Sequence, residues 1–320
     1  MHRLALIAGL LALGLPHTAA LAQNYPTKPI RVIVPVGPGG GLDFVARLMA
    51  PGLTESLGQT VVIDNRSGAS GNIGVELAAQ AAPDGYTLIF LSLSSVLNSI
   101  VTRTRFDLQR DFAPVSLTTM LHLVLAVHPS IPAKSVAELV AYAKANPGKV
   151  NYGSTGNATV LHLAGELLGQ ATGISLVHVP YKSVAAATMD LMAGQLQLNF
   201  MGLAEAQPQS RTSRLRMLAV TSVGRAKAAP ELPTMVEAGM PGFLLSAWHG
   251  MLAPARTPQP IVDRLHAEII KALRLPANAS RLEEGNFETV ASSPRQFTEQ
   301  LKADYEKWAK VIKQAGLRMD

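Results

Sequence analysis

From Ile30 onward, short apolar runs alternate with longer stretches whose apolar residues recur three and four apart. IRVIVPV (30–36) is nearly all apolar and rich in β-branched residues, and it predicts a buried strand. Asp43 to Leu57 sets Phe44, Val45, Leu48 and Met49 at helical spacing, with Pro51 expected to kink or stop the helix. TVVIDNR (60–66) reads as a second strand. GNIGVELAAQAA (71–82) reads as a second helix, stopped by the turn Pro83-Asp84-Gly85, and YTLIFLSLS (86–94) as a third strand. This order implies right-handed crossovers and a parallel sheet with helices on both faces.

After DFAPVSL (111–117) the pattern begins again with LVLAVHP (123–129) as a strand. Ser135 to Glu138 is a capping box that opens a helix ending at Asn146-Pro147-Gly148. KVNYGS (149–154), SLVHVPY (175–181), LQLNF (196–200) and LRMLAVTS (215–222) read as strands. TVLHLAGELLGQ (159–170) and AAATMDLMA (185–193) read as helices, the second closed by Gly194. ELPTMVEAGMPGF (231–243) is irregular. AWHGMLAP (247–254) is a strand expected to return to the first half, and two amphipathic helices follow it. The expected fold class is therefore α/β, with one half inserted in the other and a cleft between them.

The N-terminus has the form of an export signal. Met1-His2-Arg3 precedes a short apolar run (4–15), and Ala20-Leu21-Ala22 is a small-residue cleavage motif before Gln23. The run is too short for a stable membrane anchor. Residues 1–22 are set aside from the fold, which lowers the formal charge from +6 to +5 by loss of Arg3. The expected location is the periplasm of a Gram-negative cell.

The 320 residues are enough for two compact units. The cationic residues are scattered, with no basic run and few aromatics, which favours a small anionic ligand over nucleic acid. Without cysteine, disulfides, thiolate catalysis and Cys-based zinc sites are excluded. The histidines form neither an HExxH motif nor an i,i+4 pair, so no metal and no cofactor is expected. A P-loop and a GxSxG elbow are absent, and GxGxxG fits poorly.

Two strand-to-helix loops carry the candidate chemistry. In the first, Val36, Gly37, Gly39, Gly40 and Gly41 can bring backbone N–H groups against an anion at a helix N-terminus. An ordinary flexible loop reads the same way. Asp43 suits the N-cap or first turn, and this structural role is preferred over catalysis. In the second loop, Ser154, Thr155, Gly156, Asn157 and Thr159 offer hydroxyls and N–H groups, as a plain capping loop also would. Ser92, in the third strand, and His178 are further candidates. His162, on an apolar helix face, is expected to be a packed histidine. A catalytic alternative would need a nucleophile–base pair, such as Ser154 with His178 within about 3 Å.

YPTKPIRVIVP, PGGGLD, DNRSGASGNIG, APDGYTL, DFAPVSL, VPYKS and GMLAPARTP, in this order, resemble the extracytoplasmic solute receptors of the tripartite tricarboxylate transporter (Bug) family over 25–317. The resemblance implies a two-lobed, type II-like periplasmic binding-protein fold, each lobe a mixed sheet flanked by helices. The lobes are expected at 23–123 with 248–320, and at 124–247. It also implies a small organic carboxylate held by both loops, membrane transporter subunits as partners, no enzymatic activity, and a monomer. A sensor partner of a two-component kinase is the alternative output. The resemblance adds Tyr181, in the cleft-lining VPYK segment. Ser67 and Ser70 stand where the family often has Pro and Gly. Met201 stands where it often has an acidic residue, which suggests a ligand without a cationic amine and with an apolar or aromatic body.

Overall fold

The computed structural model describes residues 25–157, 159–243 and 245–314. The export signal and its cleavage motif lie outside these residues. The first half contains β1 (Ile30–Val34), α1 (Gly41–Leu57), β2 (Val61–Asn65), α2 (Asn72–Ala79), β3 (Thr87–Ser92) and α3 (Leu93–Val101). β4 (Phe112–Val127) leads into the second half, with α4 (Val136–Ala145), β5 (Val150–Ser154), α5 (Val160–Thr172), β6 (Leu176–Pro180), α6 (Val184–Met192), β7 (Leu198–Gly202), α7 (Leu203–Arg211) and β8 (Arg216–Val220). β9 (Ser246–Pro254) returns, followed by α8 (Gln259–Arg274), α9 (Pro276–Glu284), β10 (Phe287–Thr289) and α10 (Pro294–Gln314).

Both halves have mixed sheets. In the first, the order is β2-β1-β3-β9-β4, with β10 also on β4; β1 runs parallel to β2 and β3, and β9 is antiparallel. In the second, β4-β7-β5-β6 is joined by β8 on β4, and β5 is parallel to β6 and β7. β4 belongs to both. Phe112–His122 pairs with β9, and Leu123–Val127 with β7 and β8. DFAPVSL and LVLAVHP are thus two ends of one 16-residue strand, not the end of one unit and the start of another.

The expected helix reaches Leu57 without stopping at Pro51, and the third strand is shorter than expected. α1 runs through Pro51, because Leu48, Met49, Leu53 and Leu57 on both sides of it are buried in one apolar cluster beneath the helix. The third strand ends at Ser92, and Leu93 starts α3, whose Leu93, Val96 and Leu97 are buried. The caps read from the sequence are present. Ser135 Oγ accepts the Glu138 N–H at 3.2 Å, while the Glu138 carboxylate takes the Lys134 N–H at 2.6 Å. Gly194, at φ 80°, follows the last residue of α6 by two positions.

The turn before α2 is strained. Gly68, Ala69, Ser70 and Gly71 all have positive φ, with Ser70 at 55°. A side chain in this region costs about 1–2 kcal/mol, and glycine's extra freedom in the unfolded chain returns part of that. Ser70→Gly should therefore stabilise the protein by about 0.5–1 kcal/mol, read as a higher urea midpoint at unchanged slope. The Asn98 amide bond to the Ser70 carbonyl, 3.2 Å, does not need the serine side chain.

Candidate functional site

β1 and β3 are parallel neighbours, so the glycine loop after β1 and Ser92, the last residue of β3, lie at the same carboxyl end of the first sheet. Gly39 needs its lack of a side chain for conformation, since its φ is 92°. A Cβ at Gly37, Gly39 or Gly40 would meet nothing within 4 Å, so open space faces the loop. Gly40 is the N-cap of α1 and no side chain caps it. The first-turn N–H groups of α1 have no intrahelical acceptor, and the helix dipole adds partial positive charge there.

Asp43 fastens this loop. Its buried carboxylate accepts from Gly39 N–H at 3.0 Å, Arg47 Nε at 3.0 Å and Asn65 Nδ2 at 2.8 Å. Asn65 also donates to the Val36 carbonyl at 3.0 Å. Burial raises the Asp43 pKa, but the bonds from Arg47, Gly39 and Asn65 and the Arg47 charge outweigh it and hold the carboxyl below its ordinary value. The Gly39 N–H and the Asp43 carboxylate bond to each other. The N–H groups at the start of α1 are not engaged by a capping side chain.

The second loop is also closed on itself. Ser154 is fully buried. Its Oγ accepts the Gly156 N–H at 3.0 Å, lies 2.9 Å from the Gly156 carbonyl and is 2.6 Å from His178 Nε2. Thr159 caps α5, accepting the His162 N–H at 3.4 Å and donating to the Gly156 carbonyl at 2.9 Å. Thr155 and Asn157 are the exposed members. The Tyr181 hydroxyl donates to Asp190 at 2.7 Å; burial, then the Asp190 bond and charge, push its pKa up to about 12.

Behind this loop, His178 stacks on His162 with centroids 3.9 Å apart and a 19° interplanar angle. Burial and the neighbouring His162 lower the His178 pKa to about 4, against a raising influence from Glu166. Glu166 accepts from the Tyr152 hydroxyl at 2.9 Å. α5 sits flush on the Tyr152 ring, and a Cβ at Gly165 would lie 2.2 Å from it. Gly165→Ala should destabilise the protein by about 1–3 kcal/mol through overpacking, measured by urea denaturation.

Ser154 and His178 thus meet the distance that the catalytic alternative required. The rest of that arrangement differs. The serine is buried, its hydroxyl is engaged with Gly156, and the ring stacked on His178 is another imidazole. The pair holds the loop's shape. Met201 is enclosed: β7 lies between β4 and β5, and Met201 is fully buried in an apolar cluster with Val124, Ala126 and Leu203. Asn65, Arg47 and His162 support the loops without a local pattern that announces it; only the D-N-R block of the family resemblance touches Asn65. Among the described residues there is no His/Asp/Glu cluster suited to a metal ion.

Two α/β halves joined through shared strands, with strand-to-helix loops rich in backbone donors, define a two-lobed solute-binding protein. The particular family follows from the comparisons: the model for the tripartite tricarboxylate transporter family receptor matches residues 45–317, and the chain belongs to that family. It is similar to the structure of Rpa4515 of R. palustris with adipate (36% identity, TM-score 0.80, 92% of this chain and 99% of that one). It is also similar to the periplasmic binding protein BugD (32%, 0.79, 92% and 100%). A third similar structure is MatC of Rhodopseudomonas palustris with bound malate (28%, 0.78, 90% and 100%).

Proposed function

We propose that this receptor captures a small organic carboxylate between its halves in the periplasm and delivers it to a membrane transporter of the tripartite tricarboxylate type. The observation that carries this reading is the uncapped N-terminus of α1, facing open space and held in place by Asp43. The adipate and malate bound by two similar proteins support the ligand class. The exposed Thr155 and Asn157 of the second loop close on the ligand from the other side. Each charge-assisted hydrogen bond contributes about 1.5–3 kcal/mol net. The lobes, 23–123 with 248–320 and 124–247, hinge where β4 changes sheets between His122 and Leu123. Among the described residues no helix is long and apolar enough to cross a membrane.

The test is a thermal-shift screen of the chain from Gln23 against dicarboxylates, hydroxy acids, aromatic carboxylates and amino acids. A ligand at 100 times its Kd stabilises by about 2.7 kcal/mol, a shift of several degrees. No shift for any carboxylate would sink the reading. For delivery, uptake of the identified ligand should fail in a strain lacking this gene and return with it.

A further inference from the structure

A groove of about 740 Å³ runs between the halves, and none of the candidate loop residues lines it directly. One wall is the segment 222–228 that follows β8. The other is formed by Ala279 and Glu283 of α9 with the segment 286–289, and Met120, His122 and Ser246 of the crossing strands form the floor. The volume is that of a small-molecule pocket.

One lining side chain, Phe287, also touches the glycine loop. Phe287 lines the groove, and its Cζ lies 3.2 Å from where a Cβ of Gly41 would stand. The same ring stacks on Phe44, in the first turn of α1, at 5.8 Å and 23°. A carboxylate on the α1 N-terminus therefore has Phe287 beside it. The apolar part of the lining is Met120, Val223, Ala226, Ala228, Ala279 and Phe287. Val223 is 78% exposed, a large apolar side chain left at the rim. The charges in the lining oppose each other, Arg225 and Lys227 against Glu283 and Glu288. Glu288 is 3.2 Å from His122, and Arg225 is paired with Glu237 at 2.9 Å. Arg225 and Glu288 are thus engaged by neighbouring side chains.

We propose that this groove receives the body of the ligand whose carboxylate sits on α1, and that the body is apolar or aromatic. The inference rests on the carboxylate reading above and assigns the ligand class by a surface that Met201 does not supply. Phe287 is the specificity-determining side chain, offering a ring face to the carbon skeleton.

The experiment uses calorimetry with 3-phenylpropionate, propionate and malate as probes. Ala228→Trp and Ala279→Trp are made separately, one on each wall. Both alanines are exposed, so the indole fills the groove without entering the core. The intact protein should bind 3-phenylpropionate at least about tenfold more tightly than propionate, from burial of the ring. Each tryptophan variant, with its ligand-free melting temperature unchanged, should lose about tenfold for 3-phenylpropionate and keep its affinity for malate. Equal affinities for the two monocarboxylates in the intact protein would overturn the proposal, as would variants that bind 3-phenylpropionate as before. If malate binds and 3-phenylpropionate does not, the groove assignment falls and the receptor reading stands. If no carboxylate binds, both fall.

Discussion

Replacing Asp43 by alanine should cost about 2–4 kcal/mol of stability and at least about tenfold in ligand affinity. The carboxylate is 3% exposed and ties the glycine loop, α1 and β2 together through Gly39, Arg47 and Asn65. Charge-assisted bonds contribute about 1.5–3 kcal/mol each, and removal leaves the Gly39 N–H without its acceptor and the Asn65 amide with the Val36 carbonyl alone. Arg47 is half exposed, so the ion pair itself adds little. The affinity falls because the loop loses its shape, although Asp43 need not touch the ligand. Urea denaturation gives the first number, and calorimetry with the tightest carboxylate from the screen gives the second. An alanine variant that keeps both would show that the loop is held by something else. Since the folded pKa of Asp43 is lowered, its contribution is fully present above the ordinary carboxylate range and is lost as pH falls through the folded value, below about pH 4. Asp43→Asn should remove that part of the acid limb.

The second large effect lies at higher pH. His249, buried beneath α1 on β9, has its pKa lowered to about 4 by burial, with Thr119 Oγ1 3.2 Å from its Nδ1. His178 is also lowered to about 4, and burial pulls His162 and His266 down too. Well above pH 6.5, by about pH 8, these rings are neutral in both the folded and the unfolded chain, and the stability is complete. As pH falls, the unfolded chain takes up protons that the folded chain refuses, so stability drops from about pH 6.5 to about pH 4. His249 alone should account for a slope of about 1.4 kcal/mol per pH unit and a loss of roughly 3 kcal/mol over the window. Urea titrations at pH 8, 7, 6 and 5 measure the slope. His249→Phe should be less stable at pH 8, because Thr119 loses its partner, yet its slope should be smaller by about one proton. An unchanged slope would mean that His249 is not a neutral buried ring.

Much of the fold was legible because strands and helices announce themselves locally. The apolar runs at Ile30, Val61 and Val150 are strands, and the Ser135 cap and Gly194 stop are where their chemistry places them. β4 was not legible as one strand. Pro114 and the polar Ser116, Thr118 and Thr119 interrupt its pattern, yet the three hydroxyl residues are fully buried. Ser116 Oγ donates to the Ser292 carbonyl at 2.9 Å, Thr118 Oγ1 donates to the His249 carbonyl at 3.0 Å, and Thr119 meets the His249 ring. Those partners are more than 100 residues away, beyond the reach of any local pattern.

By itself, the sequence determined the class of elements, the two strand-to-helix loops and the family, since each depends on residue type at short spacing. Only the tertiary structure decided which donors those loops leave open. It gave the Gly39 N–H to Asp43, and it turned Ser154 toward Gly156 and His178. It closed Met201 into the core and brought Phe287 beside Gly41, 246 positions earlier in the chain. A hydrogen-bonding group or apolar face has a fixed chemistry in the sequence. Whether it is satisfied within the protein or left open depends on neighbours that only folding supplies.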